Sequence, residues 1–208
     1  MANPVVDGLI AKTKQELEQA ARPQSTYRSW KSSHGYKFLI PWSNAVLLRI
    51  LVRKFTETLP KSEFRSKAQV DDAARSVTAN IEEGYKRSTT HEYIQFLGYS
   101  QGSLEEVKGD IERFLQDKFL KSLKGSSLQN LGIDLKKWNT WTGNPLNSSK
   151  ILYFPLKLLK GNYRNLEELK GNVLTYEIFI ELINKTDWLL RKLVQSLERK
   201  IQKDKLNL

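Results

Sequence analysis

The sequence predicts an all-α protein: an antiparallel, up-down four-helix bundle with an N-terminal helical extension and an irregular insertion before the last helix. Three observations predict it. Four long stretches repeat apolar residues at steps of three and four, the period of an amphipathic helix. None of the four stripes is able to bury itself alone, so the helices must pack on one another. Glycine and proline gather between the stretches, most densely in residues 121–172.

The elements follow in chain order. Residues 1–38 read as an extension: a weak amphipathic pattern through Val5, Leu9, Lys12 and Leu17 stops at Pro23, and a polar connection runs from Ser25 to Gly35. The first strong helix is expected over about 42–59, with Pro41 in its first turn and Pro60 ending it for want of an N–H. Its stripe is Leu48, Val52, Phe55 and Leu59, widened by Leu47 and Leu51. The second helix is expected after Ser62 as N-cap, running to about Arg87. Its seam of Val70, Ala74, Val77, Ile81 and Gly84 is built of small residues that let a neighbour come close.

The third helix is expected from Thr90, capped by Thr89 or Thr90, to about Leu120. Tyr93, Phe96/Leu97, Ser100, Leu104, Val107, Ile111 and Phe114 form its seam, and Glu105, Glu106, Asp110, Glu112 and Asp117 an acidic outer face. The last helix, about 173–204, carries the seam Tyr176, Phe179, Ile183, Thr186, Leu190, Leu193, Leu197 and Ile201. Its repeat near three and a half residues suits left-handed bundle packing. Residues 39–208 therefore make one bundle. The insertion 121–172 is too long for a structureless loop. Short helical turns pinned by Trp138, Trp141 and Ile151-Leu152-Tyr153-Phe154 are expected there, with a β-hairpin around Gly143-Asn144 as the alternative.

Composition narrows the function. The 208 residues include no cysteine, which removes disulfides, thiolate metal sites and cysteine nucleophiles and points to a reducing compartment. Neither a signal-peptide pattern nor an apolar run long enough to span a bilayer is present, so a cytoplasmic protein is expected. The net charge of +11 favours an anionic partner, nucleic acid being the commonest. The excess is uneven: residues 91–120 carry three basic against six acidic residues, and 121–175 carry nine against three.

Catalytic signatures are missing. His34 and His91 have no metal-ligand spacing, no Glu has a His three residues on, and no phosphate-cradling glycine loop or nucleophile elbow occurs. No cofactor, no metal and no enzyme activity are expected. An enzyme site built from Ser76, Asn80 and Glu83 is the weakest reading. Ser76, Asn80 and Gly84 instead form a polar, small-residue line suited to fixing helix register. Beyond it, Lys86-Arg87-Ser88-Thr89-Thr90 is a basic turn at a helix N-terminus, offering cations and backbone N–H groups to a phosphate.

The run Ala74-Arg75-Ser76 with Asn80-Ile81-Glu82-Glu83-Gly84-Tyr85-Lys86-Arg87-Ser88, then Glu92-Tyr93-Ile94-Gln95-Phe96-Leu97 and Gln101-Gly102-Ser103-Leu104-Glu105-Glu106, resembles the bacterial four helix bundle protein family. That family includes proteins encoded in intervening sequences of large-subunit ribosomal RNA genes, and it is similar to the accessory proteins of diversity-generating retroelements. The motif residues here are Arg75, Ser76, Asn80, Glu83 and Gly84. The last helix, with Thr186-Asp187-Trp188-Leu189-Leu190, looks like that of the longer, suffix-bearing subgroup. The resemblance implies a ring-like homo-oligomer, a pentamer in well-known members, with a basic surface for RNA or DNA. In the retroelement branch it also implies a reverse-transcriptase partner. One position departs: the usual Ala between Ile and Glu-Gly is Glu82 here.

The first functional expectation is thus a non-enzymatic, oligomeric nucleic-acid-binding accessory protein. Arg49, Arg53, Lys54, Lys86, Arg87, Lys185, Arg191 and Lys192 would neutralise phosphates. The alternative is a protein-docking bundle anchored by Trp138, Trp141, Tyr153 and Phe154, since aromatics dominate interface hot spots.

Overall fold

The computed structural model describes residues 33–135, 166 and 168–206. Among these are four α-helices: α1 (Ile40–Thr56), α2 (Phe64–Lys86), α3 (Thr90–Gln116) and α4 (Tyr176–Leu206). Each packs on its neighbours in a ring, α1 on α2, α2 on α3, α3 on α4 and α4 on α1. The order is antiparallel throughout. Trp42 near the start of α1 bonds Glu82 near the end of α2, and Gln69 early in α2 bonds Asp110 late in α3. The four-helix bundle is therefore as expected. Trp138, Trp141, Gly143-Asn144 and the 151–154 run lie outside the described residues, as does most of the N-terminal extension.

The predicted seams form the core. Leu48, Val52 and Phe55 of α1, Val70, Ala74, Val77 and Ile81 of α2, Leu97, Leu104, Val107 and Ile111 of α3, and Phe179, Ile183 and Leu190 of α4 are all buried. At one end Phe55 meets Phe114 and Phe179 edge-on, at centroid distances of 5.2 and 5.9 Å. Each such pair adds about 1 kcal/mol beyond simple burial.

Helix ends differ from expectation in ways with plain causes. Ser62 does not cap α2. Instead Pro60 feeds a 3₁₀ turn at Lys61–Glu63, so the helix starts at Phe64 with Glu63 in the cap position. α3 ends at Gln116 rather than near Leu120 because Lys118 takes a left-handed backbone (φ 64°). The N–H groups of Phe119 and Leu120 then both reach back to the carbonyl of Phe114 at 2.9 Å. This reversal turns Leu120 inward and delivers Lys121 beside Thr175, so α3 and α4 are tied at this end. Glu177 reinforces the tie by accepting from Ser122 and from the Leu123 N–H, and Glu181 accepts from the Leu128 N–H. Burial pushes the Glu177 carboxyl up, but those hydrogen bonds outweigh it and hold it below the usual carboxylate range.

One predicted face is corrected. Asp110 was expected on the acidic exterior of the third helix but is 5 % exposed, accepting from Gln69 and Arg113. It lies three residues after Val107 and one before Ile111, within the angular width of the buried stripe. Desolvation raises its pKa, partly offset by Arg113.

Candidate nucleic-acid interface

The α2–α3 hairpin end is built around aromatic rings. A 3₁₀ turn at Gly35–Phe38 drops Tyr36 against Trp42 and Tyr85, at 5.5 and 6.0 Å, and Tyr85 meets Tyr93 at 6.1 Å. Gly84 is required where α2 meets α3: a Cβ there would lie 2.6 Å from Phe96 Cβ and 3.0 Å from Tyr93 Cδ2. Glu82, the departure from the family pattern, has a clear task. Its Oε1 accepts from Trp42 Nε1 at 2.9 Å, linking α1 to α2.

The motif residues resolve into structural roles. Asn80 Nδ2 donates to Ser103 Oγ at 3.4 Å, and Ser100 Oγ donates to the Val77 carbonyl at 2.9 Å, so polar groups set the α2–α3 register. Arg75 is exposed and pairs with Asp72. Glu83 is exposed and pairs with Arg87. Ser76 is half-buried on α2. Glu83 therefore points to solvent, away from Asn80's link to α3. Among the described residues no group of three or more His, Asp or Glu side chains is placed to hold a metal ion.

The basic turn is less open than its sequence suggests. Lys86 is exposed, with its ammonium 5.7 Å from the centroid of Tyr36. Arg87 lies over Phe96 at 4.4 Å while paired with Glu83. The following helix start is closed by a reciprocal cap: the Glu92 N–H donates to Thr89 Oγ1 at 3.2 Å, and the Thr89 N–H donates to Glu92 Oε2 at 3.2 Å. The Thr89 hydroxyl chiefly, with its N–H, Ser88 and Arg87 adding, keeps the Glu92 carboxyl below its ordinary pKa. A carboxylate already occupies the position in which a phosphate would meet the positive end of α3.

The eight expected phosphate ligands do not form one patch. Arg53 is exposed beside Asp71, and Lys54 is half-buried where Gly171 packs against its carbonyl. Asp71 and Lys86 lie on α2 roughly 22 Å apart at 1.5 Å per residue, so the α1 cations and the turn serve opposite ends. Arg49 is half-buried between them.

α4 differs. Lys185, Arg191 and Lys192 are all exposed on it. Lys185 pairs with Glu181, Arg191 with Asp187 at 2.7 Å, and Lys192 donates to Gln195 at 3.4 Å. Between them stands Trp188, 59 % exposed, with the Lys192 ammonium 5.7 Å from its ring centroid. Sequence reasoning passed over Trp188 as a site. The signal was present: Lys185, Trp188 and Lys192 step by three and four, which sets the indole on the basic side rather than on the Thr186/Leu190 seam.

The family model described as 23S rRNA-intervening sequence protein matches residues 37–139, which hold α1, α2 and α3. No curated protein and no solved structure matches the chain. The matched range includes residues that shape the hairpin, among them Trp42, Gly84 and Ser100. Through residues 37–139, about half its length, the chain belongs to the 23S rRNA-intervening sequence protein family.

Proposed function

We propose that this protein is a non-enzymatic, cytoplasmic, oligomeric bundle that binds RNA or DNA through the phosphate backbone. One observation carries the reading. Along its length α4 exposes Lys185, Arg191, Lys192, Arg199, Lys200 and Lys203, whereas α3 has an acidic excess. A long cationic rod beside an acidic one orients a polyanion along α4. Membership of a family named for an intervening sequence of 23S ribosomal RNA supports RNA as the first ligand to test. Among the described residues no helix is long and apolar enough to cross a membrane.

Filter binding of RNA and DNA over a salt series tests the reading. Four phosphate contacts on a single strand predict a log–log slope of about −3, so affinity falls roughly 50-fold between 50 and 200 mM salt. Affinity independent of salt would refute it. The resemblance to pentameric members further leads us to propose a ring of five copies, for which the native mass is about five times the 24.1 kDa chain. A reverse-transcriptase partner belongs to the same proposal and is tested by co-purification with such an enzyme.

A further inference from the structure

The strongest unassigned feature is an apolar groove of about 590 Å³ between the start of α1 and the middle of α4, lined by Ile40, Asn44, Leu135, Lys185, Trp188 and Leu189. Its size is that of a small-molecule pocket. Two of its features argue against a purely apolar occupant. Asn44 is 1 % exposed and its Oδ1 makes no hydrogen bond, an unmet acceptor that an apolar side chain would leave unmet. Lys185 stands at the groove, with Arg191 and Lys192 about two turns along the same helix. An aromatic face, a hydrogen-bonding group and flanking cations together match a nucleotide: planar apolar faces, a polar edge and a phosphate on each side.

Resting on the nucleic-acid reading, we infer that the groove takes an unpaired nucleobase stacked on Trp188, with its flanking phosphates against Lys185 and Lys192. A paired base keeps its faces inside its own stack and has no surface to give Trp188. The protein therefore binds single strands in preference to duplexes. The preference is tolerant of sequence, because every base has a face to stack.

The test measures affinity of the full chain for a labelled 20-nucleotide single strand and for a hairpin duplex of equal charge, by fluorescence anisotropy at 100 mM salt. Trp188→Ala is predicted to weaken single-strand binding about 10- to 100-fold while duplex binding stays within about threefold. Trp188→Phe, which keeps a ring, is predicted to restore most of the loss. Trp188 is exposed, so both variants should keep the wild-type circular dichroism and melting curve. Equal losses on both ligands, or no loss on either, would overturn the stacking inference and leave backbone binding intact. Wild-type protein that binds neither ligand even at 50 mM salt sinks the proposed function itself. A Trp188→Ala variant that changes native mass or protein capture while leaving single-strand affinity unaltered would make the groove a protein-docking face, which also overturns the inference.

Discussion

Two basic regions, the Lys86-Arg87 turn and the Lys185–Lys192 stretch of α4, look alike in sequence and are used differently in the fold. In the turn the cations lie over Tyr36 and Phe96, Arg87 is paired, and the helix start behind them is closed by the Thr89–Glu92 cap. On α4 Lys185 and Arg191 are paired too, with Glu181 and Asp187, but they stand further into solvent around an exposed indole, and no helix cap closes behind them. Charge in a sequence is thus not charge available to a ligand. What decides is how far a cation reaches past its partners: the paired Arg87 side chain is 39 % exposed, whereas the paired Lys185 and Arg191 are 52 % and 67 % exposed.

The contrast predicts that damage to the hairpin costs stability and leaves affinity of the folded protein unchanged, whereas damage to the α4 face does the reverse. The largest effect is expected for Gly84→Leu. Its side chain would drive into Phe96 and Tyr93, and denaturant unfolding should show a loss of about 3 kcal/mol. Trp42→Ala, which removes a half-buried ring and leaves Glu82 without its indole donor, should cost about 2 kcal/mol in the same assay. Thr89→Ala removes the cap of α3 and should cost about 1 kcal/mol. Any of the three that weakens nucleic-acid binding of the folded protein more than threefold would erase the distinction between the regions.

The smallest effect concerns pH. The Glu92 carboxyl is depressed in the folded state, so its stabilisation is complete above the ordinary carboxylate pKa and is lost as pH falls through the lower folded value. Glu177 acts in the same sense at the start of α4. Asp110 acts oppositely: its raised pKa favours the protonated form in the fold, so its contribution is present below the unfolded pKa and is lost as pH rises. Glu92→Gln should therefore flatten the acid limb of the melting temperature against pH. Asp110→Asn should help slightly at neutral pH and make no difference in acid. An unchanged acid limb in Glu92→Gln would show that the cap carboxylate is not coupled to folding.

Much of the bundle was legible because burial is periodic: the seams from Leu48 to Ile201 follow from spacing alone. The Thr89 cap was legible because Glu92 stands three residues on, the reciprocal pattern that closes a helix start. Asp110 was not, since residue type and angular position disagree there and position wins once Gln69 and Arg113 supply partners. Glu82 stands out in the sequence only as a departure from the family it resembles, and the fold shows Trp42, forty residues earlier, as its partner. The groove was invisible for the same reason. Ile40, Leu135 and Trp188 belong to three distant parts of the chain, and no local pattern announces that they meet.

The most direct measurement compares salt slopes. Three proteins are needed: wild type, Lys86→Ala/Arg87→Ala, and Lys185→Ala/Arg191→Ala/Lys192→Ala, each titrated with single-stranded RNA from 50 to 200 mM salt. The triple variant is predicted to flatten the slope by about two units, the turn variant by less than one. A turn variant that flattens the slope while the α4 variant matches wild type would contradict the assignment of the binding face to α4.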